Sequence, residues 1–225
     1  MGFARTYSVA LVGLRGHIVD VEADISQGLP GFVLLGLPDT ALNESKERVR
    51  SAAKNTGITL TQHRLTVNLT PATLPKRGSA FDLAIVVAAL QAEKKLHPSG
   101  DSVFLGELGL DGTLRPVPGI LPAVKAAVDA GHHRVIVPAE NAEEAALIPG
   151  ARVSGFRCLA EVFAALGAES QKLTYPPAPQ TEASAPAAKP AEIPSDMSDV
   201  AGQSQGRFAL EIAAAGGHHM LLTGP

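Results

Sequence analysis

Three basic side chains in the first quarter of the chain have a spacing that places them on one surface. Lys46, Arg50 and Lys54 recur every fourth residue within a predicted helix, so they lie on one helix face. A row of cations of this kind binds phosphate groups in a salt-dependent manner that does not read sequence. Lys76 and Arg77 follow in a predicted loop and would extend the positive surface. One interpretation is therefore contact with DNA.

The alternative, which the composition favours, is an ordinary solvated helix face. Glu44 and Glu47 dilute the positive charge of the helix, although Arg48 would add to it. Glu44 stands four residues before Arg48 and can pair with it. The formal net charge is -3, so only a local patch would attract a polyanion. No aromatic side chains interleave the basic ones, which disfavours binding by base stacking.

The end of the chain carries the beginning of a phosphate-binding pattern. The run MLLTGP over residues 220–225 looks like the strand and first glycine, Gly224, of a G-x-x-x-x-G-K-[ST] loop. In a complete loop, backbone N–H groups cradle the phosphates and the Lys neutralises them. The sequence contains no such Lys after Gly224, so we expect no tight ATP or Mg²⁺ binding by this chain alone. We also expect the natural protein to continue.

Other kinds of chemistry find little support. The single Cys158 excludes an internal disulfide and a Cys-rich zinc site. The pairs His132-His133 and His218-His219 have no carboxylate or Cys at ligand spacing, so we predict no metal site. The sequence shows no secretory signal and no apolar run near 18 residues, so we expect no membrane partner and a cytoplasmic location.

The elements that would position these residues fall into three parts. Residues 1–170 form a body with enough apolar residues for a core. Residues 171–195 are rich in Pro and Ala and predict an extended linker. Residues 196–225 are patterned like folded protein but are too short to form a domain.

Strands and helices alternate within the body. Two strand-like runs joined at Arg15-Gly16 predict a hairpin, and the later strands need helical crossovers. The predicted fold class is therefore α/β (α+β), a mixed β-sheet with packed helices.

Several long stretches resemble one known family, and they cover most of the body and the tail. They begin RTYSVALVGLRGHIVDVEADI, LTVNLTPATLPKRGSAFDLAIV, VFLGELGLDGTLRPVPGILPAVKAA and DVAGQSQGRFALEIAAAGGHHMLLTGP. These stretches follow one another in the same order, and with similar gaps, as in the YifB/ComM family of Mg-chelatase-like AAA+ ATPases. The chain therefore resembles that family. The resemblance implies a body similar to the Lon protease domain and to domain 2 of ribosomal protein S5. It also implies a hexameric parent that uses ATP and Mg²⁺, with ComM-type members acting as DNA branch-migration helicases.

Lon-type proteolysis needs a Ser nucleophile and a Lys that takes its proton. Aligned with Lon, the Ser position falls on Ala80 and the Lys position on Leu121, so the resemblance implies no catalytic residues. Ser79 stands one residue early and Lys125 one turn late. A dyad of these two is the disfavoured alternative, and we expect Ser79 to cap a helix that starts near Ala80.

In the resembling family, the DVAGQ segment contributes to the adenine pocket. The resemblance therefore assigns nucleotide binding in the full-length protein to these positions: Asp199, Val200, Gly202, Gln203 and Gly224.

Three hypotheses follow for the function of the body. It is a non-proteolytic domain that serves ring assembly or DNA engagement in a motor, or a Lon-like peptide-binding or peptidase module. Metal insertion into a porphyrin is the third, and the sequence offers no ligands for it.

Overall fold

The computed structural model of this chain describes residues 2–36, 40–60, 63–76, 78–177, 196–197, 200 and 202–223, with backbone only for 40–43. The chain divides into two compact units, residues 1–178 and residues 179–225. None of the helices in these described ranges is both long and apolar enough to cross a lipid bilayer.

The first unit contains a seven-stranded mixed sheet with the strand order β3-β4-β2-β1-β5-β8-β9, and a separate pair, β6-β7. The strands are β1 Gly2–Val12, β2 Arg15–Ser26, β3 Gly31–Leu35, β4 Arg64–Thr70, β5 Val103–Phe104, β6 Glu107–Leu108, β7 Leu114–Arg115, β8 Arg134–Pro138 and β9 Arg152–Phe156. The helices are α1 Thr40–Asn55, α2 Asp82–Ala92, α3 Ile120–Asp129, α4 Ala142–Ala145 and α5 Leu159–Ala165. The prediction of an α/β fold with a mixed sheet is confirmed.

The predicted hairpin is present, but its turn was placed two residues too late. Strands β1 and β2 pair antiparallel up to Val12 and Arg15, which leaves Gly13 and Leu14 as the loop. Gly13 has a φ of +62°, a conformation that two-residue hairpin loops require and that Gly adopts at little cost. Arg15 and Gly16 therefore belong to β2.

Side chains alternate across the hairpin and are covered by helices on both faces. Val19, Val21 and Ala23 pack in the cluster that includes the buried residues of α1 and α2. Val9 faces the other way, into a cluster that contains the buried residues of α3. Helix α2 is buried along its whole length, which explains why it lacks a polar face.

The first unit continues beyond residue 170. The backbone N–H of Thr174 donates to the carbonyl oxygen of Thr56 at 2.9 Å. Leu173 packs against the same cluster as α2. These contacts join residues that are far apart in sequence, so the Pro- and Ala-rich composition did not predict them.

The second unit contains one described helix, α6, over Ser204–Gly216. Several of its apolar side chains are exposed, among them Phe208 and Ile212. Exposed apolar surface is expected of a segment too small to bury a core of its own.

Candidate functional site

A cleft of about 390 Å³ lies beside the start of α2. Its walls come from β1, from the loop before α2, from the β5–β6 region and from the start of α3. Most of the lining side chains are apolar, and Ala80 is one of them. Ser79 and Glu107 are the polar side chains among the described residues that line it. The cleft therefore includes Ala80, the position that aligns with the nucleophilic Ser of Lon.

Ser79 does not cap helix α2. The helix begins at Asp82, one residue after Phe81, and no side chain caps it. The carbonyl of Ser79 accepts a hydrogen bond from the N–H of Asp82 at 3.1 Å, so Ser79 begins a turn ahead of the helix. Its hydroxyl donates to the carboxylate of Glu107 instead. The capping prediction was wrong because a tertiary partner, unseen in the sequence, takes the hydroxyl.

Lys125 lies away from this cleft. Its ammonium binds the carboxylate of Asp129 at 2.8 Å on the exposed surface of α3. It lines a different depression, next to Gly16 and His17 at the tip of the hairpin. A base must come within hydrogen-bonding reach of the proton that it takes. The structure therefore gives no support to a Ser79–Lys125 dyad, and the lack of proteolysis stays a prediction.

The residues described around the cleft include no Lys, Arg or His. Leu121 is the second residue of α3, next to the buried Ile120 that lines the cleft. Ala80 and Leu121 can act neither as a nucleophile nor as a base. That the domain lacks proteolytic activity stays a prediction for an enzyme assay.

A buried ion pair fixes the start of α2 to α1. The Asp82 side chain is 0% exposed and accepts a hydrogen bond from Arg48 Nε at 2.8 Å. Ser45 Oγ donates to the same carboxylate at 2.5 Å, and the N–H of Leu108 donates at 3.3 Å. Burial raises the pKa of Asp82, and the bonds from Arg48 and Ser45 oppose this rise. The hydrogen bond to Asp82 raises the pKa of Arg48 in turn.

This ion pair removes Arg48 from the proposed positive surface. Its side chain is only 19% exposed, and its guanidinium faces Asp82. The expectation that Arg48 adds to a DNA-binding face was wrong, because its guanidinium binds the buried carboxylate of Asp82. It also lies 3.7 Å from the carboxylate of Glu44, the pairing that the spacing of four residues predicted.

Lys76 also lies inside the molecule, at 1% exposure. Its ammonium donates to the carbonyl oxygens of Gly36 at 3.3 Å and Leu74 at 3.4 Å, and to that of Pro71. Burial lowers the pKa of Lys76. The prediction that Lys76 contacts DNA is corrected accordingly, since these carbonyls hold the ammonium away from the surface. Arg77 lies outside the described residues.

The basic face of α1 keeps the three residues that spacing predicted. Lys54 is exposed, Lys46 is partly exposed, and the Arg50 side chain is 48% exposed. Arg50 pairs with Glu47 at 3.8 Å, and its guanidinium lies 5.6 Å from the centre of the Phe32 ring. Neither Lys46 nor Lys54 forms an ion pair with a described carboxylate. The exposed face can therefore meet an anion, chiefly through these two ammonium groups.

The nucleotide-binding positions that the resemblance implies are described only in part, so they stay a prediction. Val200, Gly202 and Gln203 are exposed just before α6, whereas Asp199 and Gly224 lie outside the described residues. His132 contacts the carbonyl of Asp101 at 3.0 Å. Over the described ranges, no group of three or more His, Cys, Asp or Glu is placed to hold a metal ion.

Two arrangements of charged residues were not predicted from the sequence. Asp82 is a single acidic residue at the start of an apolar helix. This contrast could have predicted a buried partner of opposite charge. Arg134 and Arg152 stand side by side on β8 and β9. Their pairing depends on a crossover between two parallel strands, so no local sequence pattern could have predicted it.

Comparison with known proteins identifies the family of this chain. Residues 21–141 match the family described as subunit ChlI of Mg-chelatase, and residues 196–225 match magnesium chelatase, subunit ChlI. The first match alone covers more than half of the chain. The chain belongs to the Mg-chelatase ChlI family.

Relatives within the ChlI family align along the whole chain. An uncharacterized protein of Mycobacterium tuberculosis is 47% identical over 231 residues, covering 100% of this chain and 44% of the relative. The uncharacterized protein YifB of Escherichia coli is 39% identical over 227 residues, covering 100% of this chain and 43% of the relative. The competence protein ComM of Haemophilus influenzae is 37% identical over 227 residues, covering 100% and 44%.

This ChlI-family chain spans less than half the length of these relatives. It is also similar to the Lon protease of Mycolicibacterium smegmatis, at 28% identity over 139 residues, covering 59% of this chain and 18% of the protease. The resemblance to the YifB/ComM proteins and the Lon-like fold are both confirmed.

Proposed function

We propose that this chain is the non-proteolytic N-terminal domain of a longer Mg-chelatase-like AAA+ ATPase that migrates branched DNA in the cytoplasm. In that hexameric protein, the domain engages DNA and supports assembly of the ring. ATP and Mg²⁺ would bind the full-length protein, with Asp199, Val200, Gly202, Gln203 and Gly224 contributing to the nucleotide site. The ATP supplies the free energy for movement along DNA.

The proposal is carried by the chemistry of the Lon-like cleft. Ser79 has a carboxylate as its hydrogen-bond partner, whereas a Lon-type nucleophile needs an amine that accepts its proton. Glu107 is a carboxylate rather than an amine, and the described lining of the cleft offers no Lys. A domain that keeps the fold without this machinery is suited to binding and assembly.

DNA engagement is supported by the exposed basic face of α1, formed by Lys46, Arg50 and Lys54. Cations on one face contact successive phosphates without reading bases, which suits a motor that must move through any sequence. The face is small, so we expect it to contribute part of the affinity of the full-length protein.

The test is DNA binding by the full-length protein over a range of salt concentrations. Lys46→Glu together with Lys54→Glu should weaken binding and flatten the dependence of log K on log salt by about 2. Lys125→Glu with Arg157→Glu makes the same change of charge elsewhere on the exposed surface and is the matched control. Equal binding by the two double variants would refute a DNA-contacting role for α1.

Peptide binding is the second candidate, and the open cleft of about 390 Å³ favours it. Its apolar walls would accept a side chain of an extended peptide. Ala80→Trp would fill the cleft and should abolish binding of fluorescein-labelled β-casein if this function exists. Absence of casein binding by the unaltered full-length protein would exclude the candidate.

A further inference from the structure

Two arginines are in register at the far edge of the main sheet. Arg134 and Arg152 are the first residues of β8 and β9, which run parallel, and they pair directly with each other. Neighbouring strands lie about 4.8 Å apart, so the two side chains leave the sheet next to each other. In the described strands, no other register pair joins two residues of like charge.

The charge of the two guanidinium groups is not balanced by a carboxylate among the residues that the structure describes. Both residues are exposed, and neither forms an ion pair with a carboxylate in the described ranges. Nearby Arg157, by contrast, binds Glu161 at 2.9 Å. Like charges side by side on a sheet destabilise it. A bound anion would remove this repulsion.

The surface around the pair is concave. A depression of about 320 Å³ is lined by the first three residues of each strand. Because side chains alternate along a strand, Ile136 and Ser154 face the same side as the arginines. The Ser154 hydroxyl can add one more donor to the guanidinium forks. Planar forks of this kind match the oxygens of a phosphate group.

We propose that Arg134 and Arg152 bind a phosphodiester of a nucleic-acid backbone. The described lining offers no aromatic ring to stack a base and no carboxylate or amide to recognise one or to hold a metal ion. The site therefore contacts the phosphate alone. An open depression at an edge strand also lets a polymer continue on both sides. This inference rests on the proposed engagement of DNA and adds a contact separate from α1.

The test uses the full-length protein and a fluorescent four-way DNA junction. Arg134→Gln with Arg152→Gln should weaken binding by at least about threefold near physiological salt and flatten the salt slope by about 1 to 2. Arg134→Lys with Arg152→Lys keeps both charges without the forks and should give an intermediate affinity. Arg115→Gln with Arg157→Gln removes two exposed, ion-paired arginines and is the control. All three variants should unfold at a temperature close to that of the unaltered protein.

The outcomes separate this inference from the proposed function. If the unaltered protein binds no DNA, the proposed function fails. If it binds DNA and the Arg134→Gln, Arg152→Gln variant matches the control in affinity and slope, only the inference is overturned. A second arm measures binding to vesicles of phosphatidylserine and phosphatidylcholine. Loss of vesicle binding in this variant, with DNA binding unchanged, would assign the pair to a membrane surface and contradict the inference.

Discussion

Replacing Arg48 with Met tests whether the start of α2 is held by charge. The Met side chain fills most of the same space but leaves the Asp82 carboxylate without its guanidinium partner. That carboxylate is fully buried and keeps only the donors from Ser45 and Leu108. Removing one member of a buried ion pair costs about 3–5 kcal/mol, because the remaining charge is left uncompensated.

We expect a loss near the lower end of this range, about 3 kcal/mol, because two hydrogen-bond donors remain. For a domain of this size, that loss corresponds to a fall in Tm of about 6–12 °C. The chain has no Trp, so far-UV circular dichroism during urea and thermal unfolding is the suitable assay.

The loss should also depend on pH, and its sign follows from Asp82. Burial raises the pKa of Asp82 in the folded state, and removing Arg48 raises it further. Between the unfolded and folded pKa values, the folded variant binds a proton that the unfolded chain has released, so its stability rises as pH falls. The difference between variant and unaltered protein should therefore shrink from pH 7 to pH 5.

The exposed pair Arg157–Glu161 supplies the control. Arg157→Met should cost less than about 1 kcal/mol and show no comparable change with pH. If Arg48→Met costs no more than Arg157→Met at pH 7, the ion pair with Asp82 does not hold the start of α2.

Three further predictions address the interior and the cleft. Lys76→Met should destabilise the fold by about 1–3 kcal/mol in urea unfolding, because three partly buried hydrogen bonds to backbone carbonyls are lost; an unchanged midpoint would contradict the buried placement of the ammonium. Ile85→Ala, in the middle of α2, should cost about 2–5 kcal/mol by leaving a cavity, and a smaller loss would indicate that the core collapses around it. A fluorophosphonate probe should not label Ser79 in the full-length protein, and labelling that disappears in Ser79→Ala would show an activated serine.

The fold was predictable where a local pattern determines the structure. Alternating residues in β2 indicate a strand with one buried face, and the even hydrophobicity of α2 indicates a helix covered on all sides. The turn of the hairpin shifted because Gly13, with its positive φ, fixes the loop more strongly than Arg15-Gly16. These features depend on neighbours that are close in sequence.

The candidate site was less predictable because long polar side chains respond to distant partners. Arg48 and Lys76 were expected on the surface, yet each turns inward to groups contributed by other elements. Ser79 was expected to cap a helix and instead meets Glu107, which is 28 positions away. Burial of a cation is rare without a partner, so its position follows from the assembled fold rather than from local composition.

We propose that a Lon-like fold without proteolytic chemistry serves a DNA motor. The most direct measurement is ATP-dependent migration of a four-way DNA junction by the full-length protein, compared with a variant that lacks residues 1–178. We expect migration by the unaltered protein, at least about a tenfold loss in the deletion variant, and unchanged migration in Ser79→Ala. Peptide hydrolysis that is lost in Ser79→Ala, with no ATP-dependent migration by the unaltered protein, would contradict this proposal.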